Sequence, residues 1–168
     1  MGDEMSDDLP EEVRIREAYA KRLRNANYSW FHPSYLFLMQ TRERNVLDLM
    51  KRYDFASLKS KRILEVGCGA GLWLRQFINW GAQPQNIIGV DLLFDRVAEA
   101  KRSFPETLRI ECANVAKLEF PDATFDLVLQ STVFSSVLDI SMKRQMAAEM
   151  VENPTAFNSA TQARYNGA

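Results

Sequence analysis

The sequence has little cysteine and histidine and no long apolar run. Among its 168 residues are two cysteines, Cys68 and Cys112, and one histidine, His32. These are too few for a disulfide framework or for the usual zinc-binding patterns, and we expect no metal site. Isolated cysteines are typical of a reducing compartment, so we expect a cytoplasmic protein. No segment approaches the ~20 apolar residues of a membrane-spanning helix, and we expect no membrane partner.

Basic residues are missing from the N-terminus. The first twelve residues, MGDEMSDDLPEE, hold six acids and no Lys or Arg, and they lack the apolar core of a secretory signal. We expect residues 1–12 to be disordered. The rest of the chain has only a mild basic excess, which does not favour a nucleic-acid partner.

The composition, 46% hydrophobic and 26% charged, is typical of one globular domain, which we assign to residues 13–151. Helical spacing of apolar residues predicts two N-terminal helices, at about 11–26 and 34–53. We therefore assign residues 13–55 to an N-terminal helical part.

Beyond Lys61, short apolar segments alternate with helical ones. Four strands are predicted, at 62–66, 86–91, 108–112 and 125–130, and three helices, at 72–80, 94–104 and 140–151. The alternation predicts an α/β fold over residues 60–151, a Rossmann-like open parallel sheet with helices on both faces. Residues 152–168 show no apolar period and contain Asn-Pro and Asn-Gly, so we expect an irregular tail.

The stretch ILEVGCGAG places three glycines, Gly67, Gly69 and Gly71, directly after a predicted strand. Ligands of open α/β sheets bind at such strand–loop–helix units. Glycine reaches positive φ there and lets a ligand approach the N–H groups of the following helix. Leu72 stands where the dinucleotide motif G-x-G-x-x-G has its third glycine, which disfavours an NAD-type oxidoreductase, and no Gly-Lys-Ser/Thr follows, which excludes a P-loop.

A carboxylate ends the next predicted strand. Asp91 follows Gly71 by 20 residues, and it can accept hydrogen bonds from both hydroxyls of a ribose. Such charged hydrogen bonds are worth roughly 1.5–3 kcal/mol each, or about 10- to 150-fold in affinity.

The segments ILEVGCGAG, IIGVDLL and ECANVAKLEFPDATFDLVLQSTVFSSV together resemble the class I S-adenosylmethionine-dependent methyltransferases, and among them the small bacterial methyltransferase-domain proteins. The resemblance covers about residues 60–150. It implies S-adenosylmethionine as cofactor, methyl transfer to a small-molecule or otherwise unidentified acceptor, and the strand order 3-2-1-4. The family's sheet continues with three more strands, and nothing after residue 151 matches them. We therefore expect an incomplete sheet of about four strands, and self-association through the exposed edge of the fourth strand.

The resemblance also implies cofactor contacts residue by residue. The three glycines would pack against the methionine part of the cofactor, and Glu65 would help to hold its amino group. Asp91 would bind the ribose diol, and Leu92 would lie beside the adenine ring.

Three further positions follow from the same resemblance. Asn114 stands where the family usually has an Asp that meets the adenine amino group; an Asn can accept through its carbonyl oxygen, without charge assistance. Val115 would lie beside the ring, and Gln130 would face cofactor and substrate.

No catalytic residue is predicted. The cofactor carries the reactive carbon, so the protein mainly supplies orientation and a site that excludes water. Ser131, Ser135 and Ser136 follow the fourth strand, where acceptors of the family bind, but they also suit a turn. Two hypotheses stay open: a methyltransferase, or a cofactor-binding fragment or regulatory module that is catalytically silent.

Overall fold

The computed structural model describes residues 10–22, 29–114, 118, 120–121 and 123–152, and the fold is given for these. Two helices come first, α1 (Glu11–Arg22) and α2 (Pro33–Arg52). Strands and helices then alternate: β1 (Ile63–Val66), α3 (Leu72–Asn79), a 3-10 turn (Pro84–Asn86), β2 (Ile87–Asp91), α4 (Phe94–Ser103), β3 (Arg109–Cys112), β4 (Leu127–Gln130) and α5 (Ile140–Glu152).

The four strands form one parallel sheet in the order β3-β2-β1-β4, which confirms the predicted fold and strand order. Val66 at the end of β1 pairs with Val90 of β2 and with Gln130 of β4, while Asp91 pairs with Cys112 of β3. The carboxyl ends of all four strands therefore meet at one edge of the sheet.

Helices cover both faces, because the central strands are apolar almost throughout: all four residues of β1 are buried. One core layer joins the sheet to α2, α3 and α4, with Met50, Phe77 and Val97 among its members. The other joins it to α1 and α5, through Ile15 and Met146.

Local signals explain where α3 ends. The buried residues of α3 lie on one face, as the helical spacing predicts. Gly81 has a φ of +94°; its N–H donates to Ile78 O at 3.0 Å, and the N–H of Ala82 donates to Phe77 O at 2.9 Å. This pair of bonds is the Schellman motif, for which a glycine at positive φ is preferred.

The start of α1 agrees with the helix predicted from about residue 11 and overlaps the end of the segment 1–12 that composition assigns to disorder. Glu11 and Glu12 begin α1 instead of belonging to a disordered segment. The Glu11 carboxylate accepts hydrogen bonds from Arg14 within the helix and from the N–H groups of Leu138 and Asp139 before α5. Partners more than a hundred residues away thus hold a segment whose composition alone suggests disorder.

Other predictions lie partly or wholly outside the described residues. The helix predicted to reach residue 26 is described as far as Arg22, and residues 23–28 lie outside the described part of the chain. Helix α5 includes one residue more than the prediction at its C-terminal end. Residues 1–9 and 153–168 are not described, so the acidic segment and the tail stay predictions, as does the division into 13–55 and 60–151.

Within the described ranges, β4 pairs only with β1 and is the terminal strand of the sheet. Leu127, Val128 and Leu129 are nevertheless buried between the helices. Of the helices that the structure describes, none combines the length and apolar character needed to cross a membrane.

Candidate ligand-binding cleft

A cleft of about 1150 Å³ opens at the carboxyl ends of the strands. The loops that follow β1, β2, β3 and β4 line it, and α1 and α2 contribute further side chains. This is the position where open parallel sheets bind ligands.

The loop after β1 adopts the left-handed backbone that its glycines predict. The φ angles are +71° at Gly67, +54° at Gly69 and +88° at Gly71. A Cβ at Gly67 would overlap Cγ2 of Val133, and one at Gly71 would overlap the Phe104 ring. The chain's own packing therefore already excludes side chains at the first and third glycines.

Of the three glycines in this loop, Gly69 is the one with space for an added Cβ. An added Cβ there would lie 3.6 Å from Nη1 of Arg96, an ordinary contact. Arg96 also lines the cleft, and its buried Nε has no hydrogen-bond partner among the described residues. A ligand can therefore contact the backbone of Gly69, at the middle of the loop, without a steric clash.

Asp91 ties two of the cleft's loops together. Its side chain is only 8% exposed. One oxygen accepts from the N–H of Gly69 at 2.8 Å, and the other accepts from the N–H of Leu93 at 2.8 Å. Each carboxylate oxygen has a second lone pair, so Asp91 can hold the loops and still accept two hydroxyls.

Glu65 is a buried acid that faces the cleft. It is 2% exposed, and its Oε2 has no hydrogen-bond partner in the described part of the chain. Burial raises the pKa of Glu65 well above its usual range; the backbone N–H of Leu74 acts in the opposite direction, and the charge of Asp91 raises the pKa further. An unsatisfied buried carboxyl is unfavourable, and a cationic donor on a ligand would relieve it.

The other predicted site residues divide into three groups. Leu92 and Asn114 line the cleft near Asp91. Gln130 is not among the lining residues; its Oε1 accepts from the N–H of Val133 at 3.2 Å, so it shapes the loop after β4. Val115 lies outside the described residues.

The three serines after β4 line the cleft and also build its wall. The hydroxyls of Ser135 and Ser136 donate to the carbonyl of Thr132, at 2.7 and 3.2 Å, and Thr132 has a φ of +67°. Ser135 and Ser136 thus serve as turn residues, which is one of the two interpretations that the sequence allows. Among the residues described, no cluster of His, Cys, Asp and Glu could hold a metal ion.

Sequence reasoning missed most of the lining that α2 supplies. Met39 and Arg42 lie three residues apart on α2, on the side that also carries the buried Val46. From α1, Tyr19 reaches the loop after β4, where its hydroxyl is 3.1 Å from Ser136 Oγ. The helical spacing could have placed Arg42 on the inward face, but it could not show that this face meets a cleft.

Comparison with known proteins adds a family match. The model of the family described as "Methyltransferase domain" matches residues 63–153, slightly more than half of the chain. A ubiquinone biosynthesis O-methyltransferase of Rhodopseudomonas palustris is 36% identical over 117 residues, which cover 68% of this chain and 42% of that protein. One of the same name from Bradyrhizobium diazoefficiens is 32% identical over 113 residues, or 66% and 41%. The chain therefore spans about two fifths of the length of these relatives.

Solved structures show the same architecture. An S-adenosylmethionine-dependent methyltransferase from Mesorhizobium loti aligns with a TM-score of 0.50 and 26% identity, covering 58% of this chain and 44% of that one. Magnesium protoporphyrin IX methyltransferase from Synechocystis, solved with S-adenosylmethionine bound, aligns with a TM-score of 0.64 over 88% and 74% of the two chains. At 14% identity, this second likeness shows the fold alone.

Proposed function

Because the chain belongs to the methyltransferase domain family, we propose that it binds S-adenosylmethionine in the cleft and transfers its methyl group to an acceptor. The observation that carries the proposal is the state of the Glu65 carboxyl. This carboxyl is buried, and its Oε2 has no hydrogen-bond partner among the described residues. It lines the same cleft as Asp91. The cofactor has an ammonium group and a ribose diol, which are the groups that these two carboxyls suit.

The residues present fit this cofactor. Glu65 accepts from the ammonium group, and Gly69 leaves the backbone open to the methionine part, beside the Gly67 and Gly71 turns. Asp91 accepts the ribose hydroxyls on the lone pairs that its loop contacts leave available. Leu92 packs against the adenine ring.

Further contacts complete the proposed adenine site. Asn114 accepts from the adenine amino group. Val115 lies outside the described residues, and its contact with the ring stays an expectation of the family resemblance. Gln130 acts indirectly, since its contact with Val133 holds the loop after β4.

The bound cofactor supplies an activated methyl group on a sulfonium. The chain's own residues orient that group and exclude water. The names of the similar proteins support an oxygen acceptor, which would enter between α1, α2 and the loop after β4. Tyr19, Trp30 and Met39 offer it an aromatic and apolar surface there. The acceptor is proposed to be a small molecule.

A second candidate is a cofactor-binding module without turnover. It is kept as the alternative because the residues that the structure describes form a sheet of four strands. For either candidate we propose a cytoplasmic location, because the described cysteines are not paired in a disulfide. We also propose self-association through the outer edge of β4, the terminal strand of the described sheet.

Calorimetric titration with S-adenosylhomocysteine and with NAD tests the proposal. We expect the homocysteine compound to bind and NAD not to bind. Asp91→Asn should weaken binding by at least about tenfold, the loss expected for one charged hydrogen bond. Asp95→Asn is the matched control, because it removes the same charge from the exposed first turn of α4.

Two outcomes decide between the candidates. Transfer of labelled methyl groups to a pool of hydroxyl-bearing acceptors supports the enzyme, and binding without any transfer supports the silent module. Binding of NAD but not of S-adenosylhomocysteine would overturn both.

A further inference from the structure

The first turn of α1 reaches the adenine end of the cleft. Nδ2 of Asn114 donates a hydrogen bond to Oε1 of Glu12 at 2.8 Å, although the two residues are 102 positions apart. Both residues are partly buried. This contact joins a helix outside the sheet to a residue of the ligand-binding edge.

The chemistry of this contact fixes the orientation of the Asn114 amide. An ionised carboxylate only accepts hydrogen bonds, whereas a carboxamide has an NH₂ side that donates and a carbonyl side that accepts. The side of Asn114 that faces Glu12 must therefore be the NH₂ group. Its carbonyl oxygen is consequently turned away from Glu12.

Asn114 lies where its side chain could form a hydrogen bond with a base bound in the cleft. It lies two residues after the end of β3, and the N–H of the intervening Ala113 donates to the carbonyl of Asp91 at 3.0 Å. Because Asp91 at the end of β2 pairs with Cys112 at the end of β3, a base attached to a ribose on Asp91 would lie within reach of Leu92 and Asn114. Asp91, Leu92 and Asn114 all line the cleft.

We propose that Glu12 is a positioning residue that holds the Asn114 amide with its carbonyl oxygen toward the base, so that the site selects adenine by its exocyclic amino group. This inference rests on the proposed function. The negative charge of Glu12 also polarises the amide, which makes the carbonyl oxygen a stronger acceptor. A base with a carbonyl in place of the amino group, as in hypoxanthine, would face an acceptor and be rejected.

Several contacts besides the one of Glu12 hold α1 against the rest of the chain. Glu11 binds Arg14 and the N–H groups before α5, and Arg14 also donates to the carbonyl of Ser136. Ile15 is buried at 5% exposure in the core layer next to the sheet. Replacing Glu12 should therefore change the amide orientation without releasing the helix.

The test compares the affinities for S-adenosylhomocysteine and S-inosylhomocysteine by calorimetry. We expect the wild-type chain to prefer the adenosyl compound by about tenfold, the value of one hydrogen bond. In Glu12→Gln the new amide can pair with either side of Asn114, and the preference should fall to about threefold or less. Glu17→Gln, the same change on an exposed position of α1, should keep the wild-type preference.

A double variant separates positioning from structure. When Glu12→Gln is combined with Asn114→Asp, the carboxylate introduced at position 114 accepts in either orientation, and the amide introduced at position 12 can donate to it. The adenosyl preference should then return to at least the wild-type value. Thermal unfolding midpoints accompany each titration.

Three results would count against the inference. An unchanged preference in Glu12→Gln overturns it, as does a double variant that folds and shows no preference. A wild-type chain that binds both compounds equally also overturns it. A wild-type chain that binds neither compound instead contradicts the proposed function itself.

Discussion

Replacing Gly67 by alanine should destabilise the chain by two separable effects. The φ of +71° lies in the left-handed region, where a Cβ costs about 1–2 kcal/mol. The new methyl group would also overlap Cγ2 of Val133. Relieving an overlap of this kind typically costs a further ~1–3 kcal/mol, so Gly67→Ala should lose about 2–5 kcal/mol in total.

Gly81 provides the control for strain alone. Its φ is +94°, and nothing lies within 4 Å of an added Cβ. Gly81→Ala should therefore lose only about 1–2 kcal/mol. Urea denaturation at pH 7 measures both losses, with the slope m checked for each variant.

A double-mutant cycle isolates the overlap. Val133→Ala removes the methyl group that the new Cβ in Gly67→Ala would overlap. The double variant should therefore lose about 1–2 kcal/mol less unfolding free energy than the two single variants lose together. Equal losses for Gly67→Ala and Gly81→Ala, together with no coupling to Val133, would refute the packing explanation of the first glycine.

Two further predictions concern pH. Because burial raises the pKa of Glu65 well above 4.5, the native chain binds more protons than the unfolded one above that pH, and its stability falls as the pH rises. Glu65→Gln should remove this pH dependence and stabilise the ligand-free chain at pH 7, while weakening the binding of S-adenosylhomocysteine. Urea denaturation from about pH 4.5 to 8 measures the stability, and parallel calorimetric titrations measure the affinity. A variant that is less stable than the wild-type chain at pH 7 would contradict the prediction. The hydrogen bond from Arg14 is the main cause that lowers the pKa of Glu11 from 4.5 to about 2, so its stabilisation is present above about pH 4.5 and lost as the pH falls toward 2. Glu11→Gln should therefore lose about 1 kcal/mol at pH 7 and almost nothing near pH 2, and an equal loss at both values would exclude this ion pair as the cause.

The sheet and most helices can be predicted because their signals are local. β1 and β2 are short apolar segments, Gly81 ends α3, and Pro33 begins α2. The helical spacing includes Glu11 and Glu12, whereas composition assigns them to a disordered segment, because the partners that hold them are distant: Leu138 for the first and Asn114 for the second. Composition reports the disorder that a segment would show alone, not the partners that the fold brings to it.

The same contrast applies to the cleft. The sequence correctly predicts the glycines at positive φ, but it could not show that Val133 and Phe104 already fill the space at two of them. The bond from the Gly69 N–H to Asp91 could not be foreseen, since it depends on the distance between two loops. Gln130 is expected to face a ligand; the sequence could not show that its Oε1 accepts a hydrogen bond from the N–H of Val133 in the next turn.

A crystal structure with S-adenosylhomocysteine bound tests the central claim most directly. The account predicts its amino group within hydrogen-bond distance of the Glu65 carboxylate and its ribose hydroxyls on Asp91, with the chain of the amino acid crossing Gly69. Density for the compound at any other place on the chain, or with the ribose away from Asp91, would contradict the account.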